Sequence, residues 1–238
     1  PSINYVPKFY KDGEYIRALI PVSTSCIPGS YNFSLDYNNH SQTSFTVDVT
    51  SRYTASYPYN LEDATFDSLY SDSNIREYEA LFETFFDKVS DTRSFSGKFI
   101  SGLPKGTFES ADYGDLLTIN KNNIQFENPG LYYSCNKISE VKAVNAGKVI
   151  FAGSNTLAGN MVAIDHGLGL VSVYKHLSEI SISVGETVET GTVLGKSGRT
   201  GLMSKKGANI TVARVEIYVN GIPVDVTPLI ENGIIIKE

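Results

Sequence analysis

Between residues 141 and 201 the chain runs in short Val- and Ile-rich segments punctuated by Gly pairs, and this stretch organises the rest. Strand candidates fall at 141–144, 148–152, 161–165, 171–175 and 192–195, with a longer one at 211–219. Short apolar runs bounded by turn residues are the mark of buried strands. The last run meets Asn220-Gly221, a favoured two-residue hairpin turn, and returns through Ile222-Pro223-Val224. No helical period interrupts this region, so an antiparallel β-sheet domain is expected over 94–238. It begins with a β segment at Phe95-Ser96-Gly97-Lys98-Phe99-Ile100, and residues 120–129, with Asn122-Asn123 at their centre, read as a polar loop.

Upstream the alternation has a period of two. Tyr15-Ile16-Arg17-Ala18-Leu19-Ile20-Pro21-Val22, then residues 29–37 and 43–49, alternate between turns at Pro28-Gly29 and Asn38-Asn39. Short strands at this spacing predict a small immunoglobulin-like β-sandwich over 1–60. The period then changes. Ile75, Tyr78, Leu81, Phe82, Phe85 and Val89 recur at three- and four-residue steps, which predicts an amphipathic helix over 72–92 capped by Ser73 or Asn74. Residues 61–93 are read as a linker whose helix docks between two β units. The expected fold class is therefore mainly β, in three parts: 1–60, 61–93 and 94–238.

Composition agrees, with 41% hydrophobic residues, 15 Tyr, 12 Phe and no Trp in 238 residues. The net charge of −6, with Lys and Arg scattered, excludes nucleic acid as the expected partner. No run reaches the roughly 20 apolar residues of a spanning helix. The chain begins at Pro1, so an upstream signal or anchor is expected outside it. Cys26 and Cys135 are too few for a disulfide framework and are expected to be unpaired. His40, in the Asn38-Asn39 turn, reads as an exposed loop residue.

Four ordered segments then carry a resemblance. They are Gly159-Asn160-Met161-Val162-Ala163-Ile164-Asp165-His166-Gly167, Val173-Tyr174-Lys175-His176-Leu177-Ser178, Val184-Gly185-Glu186-Thr187-Val188 and Gly195-Lys196-Ser197-Gly198-Arg199-Thr200-Gly201. Together they resemble the core of the lysostaphin/LytM-type zinc endopeptidases, which cleave peptide cross-bridges of bacterial cell walls. Pro104, Gly106, Ser110 and Tyr113-Gly114 look like the segment leading into that domain, and Pro28-Gly29-Ser30-Tyr31 is similar to the immunoglobulin-like unit often placed before it.

The resemblance implies a zinc ion held by an H-x-G-x-D motif and the second His of an H-x-H motif, with an open position for water. Here the first motif falls on Asn128-Pro129-Gly130-Leu131-Tyr132: Gly130 is kept, and the ligand positions hold Asn128 and Tyr132. The second falls on Val212-Ala213-Arg214, followed by Glu216, or in another register on Asn209-Ile210-Thr211. Neither contains a His. His176 alone matches the family's chemical residues, and His166 matches a turn. Gly130, Tyr174 and Glu216 are the groove candidates.

No bound metal is expected, although zinc is the family's cofactor. The reading is a catalytically degenerate homologue serving as a peptidoglycan-binding or hydrolase-regulating module outside the cytoplasm, at the bacterial surface or secreted. Its partner would be a peptidoglycan peptide or an envelope protein such as an active hydrolase. The alternatives are a cell-wall endopeptidase with an altered metal site, drawing on Asp112, Asp115, Glu127 or Glu216, and a structural protein of an envelope complex.

Overall fold

The structure, a computed structural model, describes residues 5–37, 41–51, 54–59, 63–103, 108–119, 124–203 and 210–234. His40 with its Asn38-Asn39 turn, Pro104, Gly106, Asn122-Asn123, Gly207-Ala208 and Asn209 lie outside the described residues.

The strands are β1 (Tyr10–Asp12), β2 (Tyr15–Arg17), β3 (Gly29–Tyr37), β4 (Ser41–Val49), β5 (Ser56–Tyr59), β6 (Phe108–Ala111), β7 (Leu116–Ile119), β8 (Ile124–Glu127) and β9 (Gly130–Cys135). They continue with β10 (Glu140–Lys142), β11 (Gly147–Asn155), β12 (Gly159–Gly167), β13 (Leu170–Leu177), β14 (Glu179–Ile180), β15 (Thr187–Val188), β16 (Val193–Lys196), β17 (Thr211–Val219) and β18 (Ile222–Val224). Helices α1 (Asp63–Leu69), α2 (Asp72–Phe86) and α3 (Thr227–Glu231) and a 3-10 turn at Gly201–Met203 complete the described elements.

The principal sheet has the order β15-β11-β12-β13-β17-β9-β6, with β18 paired to β17. Its pairings are antiparallel. Asn220 and Gly221 both take positive φ, 48° and 85°, as a type I′ turn requires. Successive side chains leave the sheet on opposite faces. Val162, Ile164, Leu170, Tyr174, Ala213, Val215 and Ile217 point to one face and pack with Val141 and Leu194 of the small sheet β10-β16-β14 and with Ala143 just beyond β10. The other face carries Met161, Ala163, Val171, Val173 and Tyr218, covered by Phe82, Phe85 and Phe86 of α2. Both faces are thus buried, which is why β12 and β13 read as nearly unbroken apolar runs.

Helix α2 does not bridge two β units as expected. Its apolar stripe lies on the principal sheet, Phe82 meeting Tyr218 edge-on at 4.6 Å between ring centroids. Phe85 is fully buried there, worth roughly 1.5–3 kcal/mol. The cap is Ser71 rather than Ser73 or Asn74: its hydroxyl accepts from the Asn74 amide, so Asn74 stands inside the first turn. The helix ends at Phe86, and the chain beyond it is pinned by Ser90 N–H to Asp165 Oδ2 at 2.8 Å.

Two further expectations are corrected, and the immunoglobulin-like unit is not confirmed. The period-two alternation does make β3 and β4, but they form a two-stranded ladder to which no third strand is paired among the described residues. Nothing there supports an immunoglobulin-like sandwich; in so small a sheet one alternate set stays in water, as Phe45 does. Residues 94–100 form no strand. Phe95 and Phe99 are plugs in the core, and the backbone bonds singly to His166, Leu229 and Val144. The polar segment before Pro129 contains β8, which pairs with β7, itself parallel to β5.

Candidate functional site

Strands β9, β17 and β13 place the site. Cross-strand partners share a face, and the register sets Gly130 opposite Glu216, Tyr132 opposite Arg214 and Lys175 opposite Arg214. All of these project toward α2. Tyr174, one residue from Lys175, projects to the opposite face, where its hydroxyl accepts from the Val144 amide at 2.8 Å. Gly130 has a steric reason: a Cβ there would lie 2.3 Å from the Val215 carbonyl oxygen.

Asn128 is fully buried just before β9. Its amide nitrogen donates to the carbonyls of Asp112 at 2.8 Å and Gly130 at 2.5 Å, so its Oδ1 points the other way, accepting from Arg214 Nη2 at 2.9 Å. Arg214 Nε lies 2.7 Å from Glu216 Oε1. The N–H is not aimed along that line, so the contact is a charge pair in which both atoms lack a hydrogen bond. The other Glu216 oxygen is 2.6 Å from Lys175 Nζ and accepts from Tyr218 at 2.5 Å. Lys175 also donates to Tyr78 of α2 at 2.5 Å. Burial alone would raise the Glu216 carboxyl, but Lys175 and Arg214 outweigh it and hold it down at about 2.

His176 is buried and has a left-handed backbone, φ 64°, uncommon for a residue with a side chain. Its Nδ1 lies 3.0 Å from the Thr200 carbonyl. A carbonyl only accepts, so Nδ1 carries the proton and Nε2 is an acceptor. Desolvation first, and Arg214 second, lower its pKa to about 3, so the ring is neutral. Tyr132 is buried and donates to Met203 Sδ at 3.3 Å. Thr211 is elsewhere, opposite Cys135 and 2.7 Å from Ser197 Oγ, so Arg214 is the residue that meets Asn128. His166 lies on the far face, between the Ala146 carbonyl at 2.7 Å and Ser172 Oγ at 2.8 Å.

The other carboxylates serve local structure. Asp115 accepts from the Ala55 and Asp112 amides and Asp112 from the Tyr113 amide, while exposed Glu127 binds Thr24. Cys26 and Cys135 are both free thiols. Lys175, Tyr78 and Tyr218 were not singled out from sequence. Lys175 lies between Tyr174 and His176 in the segment that carries the resemblance, and Tyr218 follows Glu216 by one strand period.

Between α2 and the sheet these residues floor a cavity of about 320 Å³. Lys175, His176, Arg214 and Glu216 lie at its base; Ile75, Phe82, Phe126, Leu157 and Met203 are among its apolar walls. The donor set does not fit zinc. The three positions that the resemblance assigns to ligands hold an amide oxygen already engaged, a phenol turned to Met203 and a permanent cation. Among the described residues no three His, Cys, Asp or Glu side chains come together as a metal site. What the arrangement can do is hold an anion: two cations face one carboxylate.

Comparison with known proteins agrees with this architecture. Residues 126–226 match peptidase family M23. The chain is 37% identical over 70 residues to stage II sporulation protein Q of Bacillus subtilis, covering 29% of this chain and 24% of that protein. It is 36% identical over 80 residues to lysostaphin of Staphylococcus staphylolyticus, covering 31% and 17%. The chain therefore spans about a quarter or less of the length of these relatives. A crystal structure of an M23 peptidase from Pseudomonas aeruginosa has the same fold, with a TM-score of 0.58 at 22% identity over 91% of this chain and 79% of that one. The chain is mainly β, with antiparallel sheets, and over residues 126–226 it carries a peptidase family M23 domain.

Proposed function

We propose that this chain is a catalytically degenerate M23 domain that acts as a binding or hydrolase-regulating module of the bacterial envelope, outside the cytoplasm. One observation carries the reading: the Arg214 guanidinium, held by Asn128 and paired with Glu216, stands among the residues that the family would use for zinc. A fixed positive charge repels the metal, and without metal-activated water His176 has no nucleophile to assist. The three-part division at 60 and 93 belongs to the same proposal, as does the partner, a peptidoglycan peptide or an envelope protein. The relation to lysostaphin and to a sporulation protein supports an envelope setting. Among the described residues no helix is long and apolar enough to cross a membrane.

Elemental analysis after purification in zinc tests the reading. Less than one zinc per ten chains is expected on the order of background, and one tightly bound zinc per chain overturns it. No digestion of purified walls is expected with any divalent metal. Retention on purified peptidoglycan points to the glycan-peptide partner, and its absence to a protein.

A further inference from the structure

We infer that the cavity beneath α2 binds an N-acylated amino acid or the free C-terminus of a peptide, its carboxylate seated between Lys175 and Arg214. This rests on the reading that the metal position is closed. The ion network at the floor is unbalanced: Lys175 and Arg214 bring two positive charges and Glu216 one negative, and their side chains are only 8%, 8% and 0% exposed. Desolvated charge is costly unless matched, so the site has room for one more anion.

Donors are also left over. Lys175 has three N–H bonds, of which Glu216 and Tyr78 take two. Of the five on Arg214, Asn128 takes one, Nε misses Glu216, and Nη1 has no partner among the described residues. A carboxylate accepts several such bonds at once.

The rest of the cavity selects among carboxylates. Its walls, with Ile75, Phe82, Phe126, Leu157 and Met203, suit an apolar side chain. Glu79 and Glu127, both exposed, stand among the lining and oppose a polyanion. His176 Nε2, an acceptor with no partner among the described residues, favours a ligand with an N–H near its carboxylate. An acylated amino acid and a peptide C-terminus both have one, and a simple fatty acid does not.

Titration calorimetry decides. N-acetyl-leucine and N-acetyl-phenylalanine are expected to bind, their amides roughly ten- to a hundredfold more weakly, as loss of a charged hydrogen-bond partner implies. An alanine-rich hexapeptide ending in Leu, free or amidated, separates the sources: tighter binding of the free peptide identifies a C-terminus, and tighter binding of the acetyl-amino acid identifies a small acid. Ile75→Trp, which fills the cavity and spares the charges, and Arg214→Gln are each expected to lower affinity at least about tenfold. Equal binding of acid and amide, no binding at millimolar ligand, or wild-type binding by folded Ile75→Trp overturns the inference. If Arg214→Gln fails to fold, Ile75→Trp alone decides. Zinc is assayed on the same preparation: zinc-free protein that ignores the acids sinks this inference alone, whereas stoichiometric zinc sinks the functional reading beneath it.

Discussion

The two faces of the principal sheet are made by the same strands, one residue apart. On one, Ala213, Val215, Ile217 and Tyr174 close a dry core against the small sheet. On the other, Arg214, Glu216 and Lys175 meet under a helix and keep a cavity open. The first face depends on packing, where similar apolar side chains substitute for one another. The second depends on charge, where every member needs its partner. A fold can therefore be kept by one face while the chemistry of the other is exchanged.

Removing one charge should have the largest effect. Glu216→Gln leaves Lys175 and Arg214 buried without a counter-ion, and urea unfolding should show a loss of roughly 3–5 kcal/mol. Replacing all three, as Lys175→Met with Arg214→Leu and Glu216→Leu, should be neutral or stabilising by roughly 1–4 kcal/mol. A triple variant as damaged as the single one would show that the charges, and not merely their balance, hold this face together.

Acidification compares the faces through one histidine each. Burial lowers His166 to about 4 and His176 to about 3 from 6.5. Above pH 6.5 both are neutral whether folded or not and contribute no pH dependence. Below it the unfolded chain binds protons that the folded chain refuses, so stability falls with pH. At pH 4.5 each should cost roughly 2–3 kcal/mol relative to pH 7.5. Glu216, held low, acts in the same direction below 4.5, while Asp165, raised by burial, opposes it. His176→Asn and His166→Asn should each flatten about half of the decline in urea midpoint between those pH values; a decline unchanged in both would assign it to other groups.

Gly130→Ala sets a Cβ against the Val215 carbonyl and should cost roughly 1–3 kcal/mol, read from thermal unfolding. The smallest effect belongs to the surface: Lys196→Ala breaks a pair with Glu179 at 2.8 Å in which both side chains are about half exposed, and should leave the urea midpoint almost unchanged. If it matched Glu216→Gln, burial would not be what separates the two ion pairs.

Sequence alone was enough for whatever depends on neighbours along the chain. Strands β11, β12, β13 and β17, the Asn220-Gly221 hairpin, the amphipathic stripe of α2 and the M23 resemblance were legible, because period, turn chemistry and motif order are local properties, whereas β6, β9 and β15 of the same sheet were not. So were the residue types, Asn128, Tyr132 and Arg214, that stand where the resemblance would set zinc ligands. Only the tertiary structure decided what those residues do instead. Which face α2 covers, that 124–127 pairs as a strand, that Arg214 and not Thr211 meets Asn128, and that Tyr78 reaches Lys175 across 97 positions of sequence all depend on contacts between distant segments. An apolar stripe says that a helix is covered without naming its cover, and a charged residue in a strand says nothing of its partner until the register is set.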